Sequence, residues 1–530
     1  MSGLLLFFLL TACTGEHSTK KNEFHMNLNG EPSTLNPLTA SDGYSNSVQR
    51  LVLDTLLTRD LDTFEWKPAV AESYKISPDG LTFTFKLRPG LVFSDGSPLT
   101  SADVKATFDA YFDPEQNAAH MRPNFELFEK VETPDPLTVI FKVKEKYFLN
   151  FEHAALIDIL PAKYYKDPKS AKKLSLNIYG SGPYKLESFE RGKEIVLTKN
   201  EKWWGYRPEA RSPEYNFDRI HLYFVDDETI ALENFKRGRF DMLNPSPQTF
   251  ELKLVGPDWG TKFIKVKAQN KTNSGYNYIG WNLRDPKFKD KRVRRALAYL
   301  LDRKLIIDKF FYGMRVEANG PIAVGRDDND AGVAPIPFDI EKAKALLKEA
   351  GWRDSDKDGI LDKTIDGKKV SLKITLLNAS PSFEKFLTIF KEDALKAGVE
   401  IDIRSIEWNS LLKLLADKKY EAVALSWGAG NSDFDFKAIW HSESMQNGGF
   451  NDISYSNPLV DNLIEKQRRT LDRNERLKLS HQIFRIIADD APYLFMFCNK
   501  YELYAHSARI WKPKDTFNYG IGNNYWKIKE

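Results

Sequence analysis

Residues 66–104 read WKPAVAESYKISPDGLTFTFKLRPGLVFSDGSPLTSADV and are the most informative stretch of the chain. Their centre, Leu81–Leu87, alternates apolar and polar side chains with a period of two, which predicts a strand with one buried face. A Pro-Gly turn follows, after which Leu91–Phe93 is expected to return as the second strand of a hairpin. Thr100 then predicts the start of a helix, with Asp103 as its partner in a capping box.

Length and composition indicate a globular α/β protein with more than one lobe. The chain has 530 residues, which is too many for a single hydrophobic core. Its net charge is only +3, with both signs thoroughly mixed, so we expect no nucleic-acid partner. Strand and helix patterns alternate in the C-terminal half, as is typical of an α/β lobe. Asp290 and Asp302 are predicted to cap two successive helices. The predicted elements that follow are the helix Ile340–Ala350 capped by Asp339, the strand Val370–Leu377, the helix Phe383–Ala397, the strand Val399–Ser405, the helix Asn409–Ala416 and the strand Glu421–Trp427.

The amino terminus predicts export and lipidation. The apolar run Leu4–Leu10 is far shorter than the roughly 20 residues that span a bilayer, and it suits a secretory signal peptide. Leu10-Thr11-Ala12-Cys13 resembles a bacterial lipobox, so residues 1–12 are expected to be removed and Cys13 to carry the lipid. Residues 13–21 would then be a lipidated tether. A chance apolar start is the alternative, and a start codon further upstream stays open because no Lys or Arg precedes the run.

The stretch 66–104 resembles the signature region of the family 5 extracellular solute-binding proteins. Further segments resemble the same family and stand in its order: Gly180–Leu186, Thr198–Trp204, Phe288–Leu297 and Glu341–Trp352. The resemblance implies an α/β, two-lobed periplasmic-binding-protein fold of type II, with mixed sheets, a satellite domain and a hinge of two crossing strands. It also implies the receptor of an ABC importer, a monomer that binds a peptide or another small solute and delivers it to permease and ATPase subunits.

The same resemblance implies how the chain is divided. The expected parts are a discontinuous first lobe at 22–46, 176–262 and 490–530, a satellite domain at 47–175 and a second lobe at 263–489. The chain would cross between the lobes near residues 262–268 and 488–492.

Residues 427–435, WGAGNSDFD, are the expected ligand site. In peptide-binding members a strand ends in Trp, two small residues and an Asp that pairs with the ammonium group of the peptide. Gly430 stands at that position here, so Asp433 or Asp435 replaces the missing carboxylate, or the ligand has no ammonium there. The resemblance also implies that the ligand main chain pairs with this segment and with the strand near Phe24–Asn29. The alternative is that the glycines only permit a tight turn.

The expected ligand-binding residues combine this segment with one more aromatic side chain. They are Trp427, Gly428, Ala429, Gly430, Asn431, Asp433 and Trp408. Tryptophans including Trp408 suit a groove for aromatic or sugar groups, although core packing is the favoured explanation.

Asp354, Asp356, Asp358 and Asp362 imitate the start of a calcium loop. The twelfth position is Ile365, where a bidentate Glu is needed, so a solvated turn is favoured over a metal site. The sequence contains no HExxH, P-loop or GxSxG pattern, so neither a cofactor nor catalysis is expected. Two rival functions stay open: a binding protein for an oligosaccharide, opine-like compound or metal chelate, and a secreted glycosidase that uses two carboxylates.

Overall fold

The computed structural model describes residues 22–272, 275–428, 430–446 and 449–529. Its strands are, in chain order, β1 Glu23–Asn27, β2 Leu57–Arg59, β3 Trp66–Pro68, β4 Ala71–Ile76, β5 Thr82–Leu87, β6 Phe128–Asp135, β7 Thr138–Val143, β8 Tyr184–Glu190, β9 Glu194–Lys199, β10 Arg219–Tyr223, β11 Met242–Leu243, β12 Phe263–Ala268, β13 Tyr276–Trp281, β14 Arg315–Glu317, β15 Asp362–Ile365, β16 Lys368–Ser371, β17 Lys373–Asn378, β18 Glu400–Ser405, β19 Ala422–Trp427, β20 Tyr493–Phe495, β21 Phe497–Asn499, β22 Glu502–Ser507, β23 Ile510–Trp511 and β24 Lys527–Ile528.

The α-helices are α1 Gly43–Val52, α2 Ser101–Phe112, α3 Asn150–Ala155, α4 Ala162–Tyr165, α5 Pro168–Ala171, α6 Glu228–Lys236, α7 Pro247–Leu252, α8 Lys291–Tyr299, α9 Arg303–Phe310, α10 Ile340–Glu349, α11 Glu384–Lys396, α12 Trp408–Ala416, α13 Lys437–Trp440, α14 Pro458–Arg469 and α15 Arg473–Asp490. Within the described ranges, none of them combines the length and the apolar character that a membrane-spanning helix needs.

The first lobe is built on a seven-stranded mixed sheet in the order β12-β22-β11-β1-β10-β9-β8. Strand β1 lies inside it and runs parallel to β10, with Phe24 opposite Ile220. The apolar face of this sheet packs into a buried cluster that also contains the core of the satellite domain. That cluster draws its buried members from 24–268 and 504–526, so the first lobe and the satellite share one core.

The satellite domain contains a four-stranded antiparallel sheet in the order β4-β5-β7-β6. The strand predicted at Leu81–Leu87 is β5, and Thr100 and Asp103 form the predicted capping box, with the Thr100 amide donating to the Asp103 carboxylate at 2.9 Å. The predicted hairpin return at Leu91–Phe93 is wrong. β5 is already bonded on both edges by β4 and β7, so this segment makes only a bridge between Val92 and Pro98.

Two of the segments that carry the family resemblance meet in the core at Asp54. The Asp54 carboxylate accepts hydrogen bonds from Ser181 Oγ at 3.1 Å and from Trp203 Nε1 at 3.2 Å. A Cβ atom on Gly180 would lie 2.2 Å from the carbonyl oxygen of Val52, so only glycine permits this approach. These segments therefore build the junction between the first lobe and the satellite.

The second lobe is built on a five-stranded sheet in the order β18-β17-β19-β13-β20. The predicted helix caps are present: Asp290, Asp302 and Asp339 each accept a backbone N–H at the start of the helix that follows. The strand predicted at Val370–Leu377 is divided, because Lys368–Ser371 forms a hairpin with β15 before β17 begins at Lys373. Cys498 is buried and free, as expected for a small apolar side chain.

Sheet pairing moves both crossings between the lobes from the expected positions. β12 pairs with β22 throughout Phe263–Ala268 and so belongs to the first sheet, which places the first crossing at 269–275. β20 pairs with β13 in the second sheet, and β21 follows it directly. The second crossing is therefore at 500–501, and the expected boundaries at 262/263 and 489/490 fall too early.

Candidate functional site

The candidate site lies at one edge of the second sheet. β17 runs parallel to both β18 and β19, so the segments that follow Asn378, Ser405 and Trp427 leave the sheet on the same side. Ligands of open α/β sheets bind outside the carboxyl ends of such strands. Both Trp408, at the start of α12, and the segment 428–435 are on this edge.

Aromatic side chains at this edge are accessible. The Trp427 ring stacks on Tyr278 with centroids 6.0 Å apart, and its Nε1 donates to the Tyr493 hydroxyl at 3.4 Å. Phe450 packs edge-on against Trp427 and is 55% exposed, while Trp408 is 51% exposed. Trp440, by contrast, is fully buried in the core of the second lobe. The surface therefore offers aromatic contacts for an apolar group.

The two described glycines of this segment have open space where a side chain would stand. Gly428 and Gly430 are both exposed, and a Cβ atom built on either would meet nothing within 4 Å. Neither has the left-handed conformation that would require glycine, so the turn itself does not explain them. Ala429 lies outside the described residues.

Arg326 holds the segment in place, and the sequence pattern did not identify it. Its guanidinium donates to the carbonyl oxygens of Gly430 at 3.2 Å and Ser432 at 2.6 Å. It also pairs with Asp328 at 2.7 Å, and Asp328 accepts the Phe434 amide at 2.8 Å. The Arg326 and Asp328 side chains are only 8% and 2% exposed, so this is a buried ion pair that fixes the loop from behind.

Asp433, the expected replacement for the missing carboxylate, is already paired. Arg473 approaches it at 2.9 Å and Arg476 at 2.6 Å. Burial acts to raise the pKa of Asp433, but the two guanidinium groups outweigh it and hold the pKa below its usual range. The negative charge of Asp433 is thus already paired with two arginines of α15.

Asp435 is paired as well, and it joins the second lobe to the satellite. Its carboxylate pairs with Arg468 at 3.0 Å and accepts a hydrogen bond from the Tyr147 hydroxyl at 2.7 Å. Nearby, Ser432 hydrogen-bonds Glu152 of the satellite, and Asn431 donates to the Tyr519 carbonyl at 3.3 Å. The segment therefore contacts both other parts of the chain.

The expectation that a ligand pairs with the strand near Phe24–Asn29 is wrong for most of that range. β1 is bonded to β10 along its whole length, and on its other edge the His25 amide and carbonyl are both bonded to Asp241. Leu28 continues the ladder through its amide to the Tyr223 carbonyl. An interior strand has no free edge for an added strand.

The calcium-loop candidates come together only in part. Carboxylate oxygens of Asp354, Asp356 and Asp362 lie within 4.8 Å of one another, and Asp358 instead accepts the Ile360 amide. The Lys369 ammonium is 2.6 Å from Asp356 and 3.3 Å from Asp362. A lysine thus already supplies positive charge to this turn. Cys13 and the predicted signal peptide lie outside the described residues.

Residues 65–448 match the family described as bacterial extracellular solute-binding proteins, family 5 Middle. The chain is 28% identical over 524 residues to the oligopeptide-binding protein AppA of Bacillus subtilis (strain 168), covering 93% of this chain and 91% of AppA. It is 26% identical over 525 residues to the dipeptide-binding protein of Escherichia coli (strain K12), covering 93% of each chain.

Solved structures agree with the architecture described above. AppA in complex with a nonapeptide superposes with a TM-score of 0.77 at 26% identity, over 96% of this chain and 99% of AppA. NikZ from Campylobacter jejuni in complex with Ni(L-His) gives a TM-score of 0.78 at 22% identity, over 96% of this chain and all (100%) of NikZ, a likeness of fold alone. The two-lobed α/β fold expected from the sequence is thereby confirmed.

Proposed function

The chain belongs to the bacterial extracellular solute-binding proteins of family 5, and on that premise we propose that it is the receptor of an ABC importer for peptides. The family match over 65–448 carries the proposal. The names of the oligopeptide- and dipeptide-binding relatives support peptides as the ligand class.

Binding takes place between the lobes: the segment that contacts the first lobe through Asn431 and the satellite through Ser432 follows the same sheet edge as Trp408, Trp427 and Gly428. The exposed backbone of Gly428 supports main-chain pairing with a ligand, and the aromatic side chains support contact with its apolar groups. The second lobe closes about the crossings at 269–275 and 500–501, since the first lobe and the satellite share a core that it does not enter.

The ligand's ammonium group, if it has one, is not bound at Gly430. A buried ammonium needs a charged partner, yet Asp433 and Asp435 already pair with arginines. Either the ammonium lies elsewhere in the cleft or the solute has none. This observation favours a second candidate function, the same receptor for an oligosaccharide, an opine-like compound or a metal chelate.

The protein performs no catalysis on its solute. A glycosidase needs one carboxylic acid that stays protonated near neutral pH, so its pKa must be raised. The pKa of Asp433 is instead lowered, because two arginine charges outweigh its burial. Incubation with peptides and oligosaccharides should leave both uncleaved, whereas products that vanish in the Asp433→Asn variant would establish the hydrolase.

The receptor is a monomer held at the cell envelope by a lipid on Cys13. The lipobox-like sequence before Cys13 supports the anchor, and the extracellular description of the family supports the location. Permease and ATPase subunits are its partners. The Cys13→Ala variant should leave the membrane fraction for the soluble one, and its retention on membranes would contradict the anchor.

Native mass spectrometry tests the proposed ligand class most directly. Protein isolated from its own host without denaturation should carry a bound peptide whose mass is recovered unchanged after release. A bound sugar, opine-like compound or metal chelate would replace the first proposal with the second.

A further inference from the structure

Two histidines and a glutamate converge on the sheet of the first lobe, away from the ligand edge. His25 of β1 stands directly opposite His221 of β10 in the parallel ladder. Their rings stack with centroids 4.4 Å apart and planes within 10°. Glu23 lies two residues before His25 and therefore on the same face of the strand.

The ligand atoms of these three residues form a small triangle. Glu23 Oε2 lies 3.6 Å from His25 Nε2 and 3.7 Å from His221 Nε2, and all three atoms fall within 4.8 Å of one another. Zinc binds imidazole nitrogen and carboxylate oxygen at about 2.0–2.2 Å. An ion in the centre would therefore need only a slight contraction of the triangle.

The outer nitrogens of both rings are held as they are around protein-bound metals. His221 Nδ1 lies 3.0 Å from Glu194 Oε2, and His25 Nδ1 lies 3.0 Å from the Tyr223 hydroxyl. A carboxylate only accepts, so the His221 proton is on Nδ1 and, in the neutral ring, the Nε2 lone pair is directed at Glu23. Carboxylate–histidine pairs of this kind orient metal ligands and fix their tautomer.

The inner nitrogen of His221 needs a positively charged neighbour. Its Nε2 is buried and makes no hydrogen bond with any residue that the structure describes. A lone pair that faces a carboxylate across 3.7 Å is repulsive unless a cation lies between them.

We propose that Glu23, His25 and His221 bind a divalent first-row transition-metal ion, with zinc as the best match. Two imidazoles and one carboxylate are typical ligands of zinc, and they leave a fourth position for water. The ion joins β1, at the start of the described chain, to β10 about 200 residues later. It thereby stabilises the first lobe independently of the solute in the cleft.

A proton is the competing occupant. A protonated His221 would bridge Glu23 and Glu194 as an imidazolium and would satisfy the same distances without a metal. The two states differ in a measurable way, because metal binding displaces protons and weakens as the pH falls.

The test is a zinc titration of the whole protein, purified without a polyhistidine tag and stripped with a chelator. Calorimetry at pH 7.5 should give one zinc per chain, and cobalt should give visible d–d absorption at the same stoichiometry. Glu23→Gln and His221→Gln should each weaken zinc binding at least tenfold, and Glu194→Gln about 10- to 100-fold. His481→Gln, which alters a half-buried histidine outside the cluster, should bind as the wild type does.

Circular dichroism and thermal melting in zinc-free buffer show whether each variant is folded. Saturating zinc should raise the melting temperature of the wild type and of His481→Gln, and should not raise that of Glu23→Gln. Absence of stoichiometric zinc, or equal binding by Glu23→Gln, would overturn the metal site. If a variant fails to fold, one cobalt per wild-type chain supports the site only when the spectrum shows nitrogen ligation, and an oxygen-only spectrum overturns it.

Discussion

At the scale of single residues, Gly430 and Asp433 determine which charge the candidate site offers to a solute. The sequence predicted that Gly430 leaves the site without the family's carboxylate, and in the structure the space that such a side chain would enter is open. It did not predict that Asp433 is neutralised, because Arg473 and Arg476 follow 40 and 43 residues later and no local pattern links them. Pairing across such distances depends on how α15 packs, which periodicity cannot supply.

Restoring the carboxylate should create an ammonium site. Gly430→Asp fits without clashes, because nothing lies within 4 Å of its Cβ position. A charged hydrogen bond contributes about 1.5–3 kcal/mol, so affinity for a peptide with a free amino terminus should rise about tenfold or more over its N-acetylated form. Calorimetry with the peptide recovered from the native protein measures this ratio. Gly428→Asp, equally open, is the matched control, and an equal gain there would contradict the assignment.

Asp54 should make stability depend on pH. Burial raises its pKa to about 6, against hydrogen bonds from Trp203 and Ser181 that lower it. A carboxyl whose pKa is raised by folding favours the folded state below about pH 4, and this contribution is lost as the pH rises to about 6. The stability of Asp54→Asn relative to wild type should therefore rise by about 2 kcal/mol between pH 4 and pH 7. Urea unfolding at both pH values measures it, and a constant difference would contradict the raised pKa.

Secondary-structure elements were predicted best where the signal is local. The caps at Asp290, Asp302 and Asp339 and the alternation in β5 depend on a few neighbouring residues, and each appears where expected. The hairpin return predicted after β5 was wrong, because β5 pairs with β4 and β7 instead. Tertiary packing, and not the nearest turn, determines these two partners. The loop at the candidate site also depends on a long-range contact, since Arg326, which lies 104 residues before Gly430 in the chain, donates a hydrogen bond to it.

Removing Arg326 should loosen this loop and destabilise the second lobe. Arg326→Met leaves the Asp328 carboxylate buried without its cation, which costs roughly 3–5 kcal/mol. Denaturant unfolding should show this loss together with weaker solute binding. Arg404→Met removes an arginine that is 64% exposed and pairs with Asp402, so its effect should stay below about 1 kcal/mol. Comparable losses in the two variants would contradict the role of Arg326.

At the scale of the whole molecule, the resemblance predicted two lobes, a satellite and two crossings, but placed the crossings too early. The strands β12 and β20 decided the difference, since each continues its own sheet beyond the expected boundary. The sequence pattern of a short apolar strand is the same in either lobe, so only the strand pairing shows which sheet β12 and β20 join. The separate cores support the proposed closure, in which the second lobe moves as a unit.

The contact between Tyr147 and Asp435 should favour the closed arrangement. The hydroxyl donates to a charged carboxylate across the boundary between the satellite and the second lobe. Tyr147→Phe should therefore weaken solute binding about tenfold, as the loss of roughly 1.5 kcal/mol requires. Calorimetry against Tyr74→Phe, an exposed tyrosine of the same domain, isolates the effect. Unchanged affinity would mean that the contact is present in the open state as well.

Small-angle X-ray scattering with and without solute tests the central claim, that the second lobe closes on a solute and releases it unaltered. The account predicts a smaller radius of gyration when the solute recovered from the native protein is added back at saturation, and recovery of that solute intact afterwards. An unchanged radius of gyration with the solute bound, or recovery of cleaved products, would contradict it.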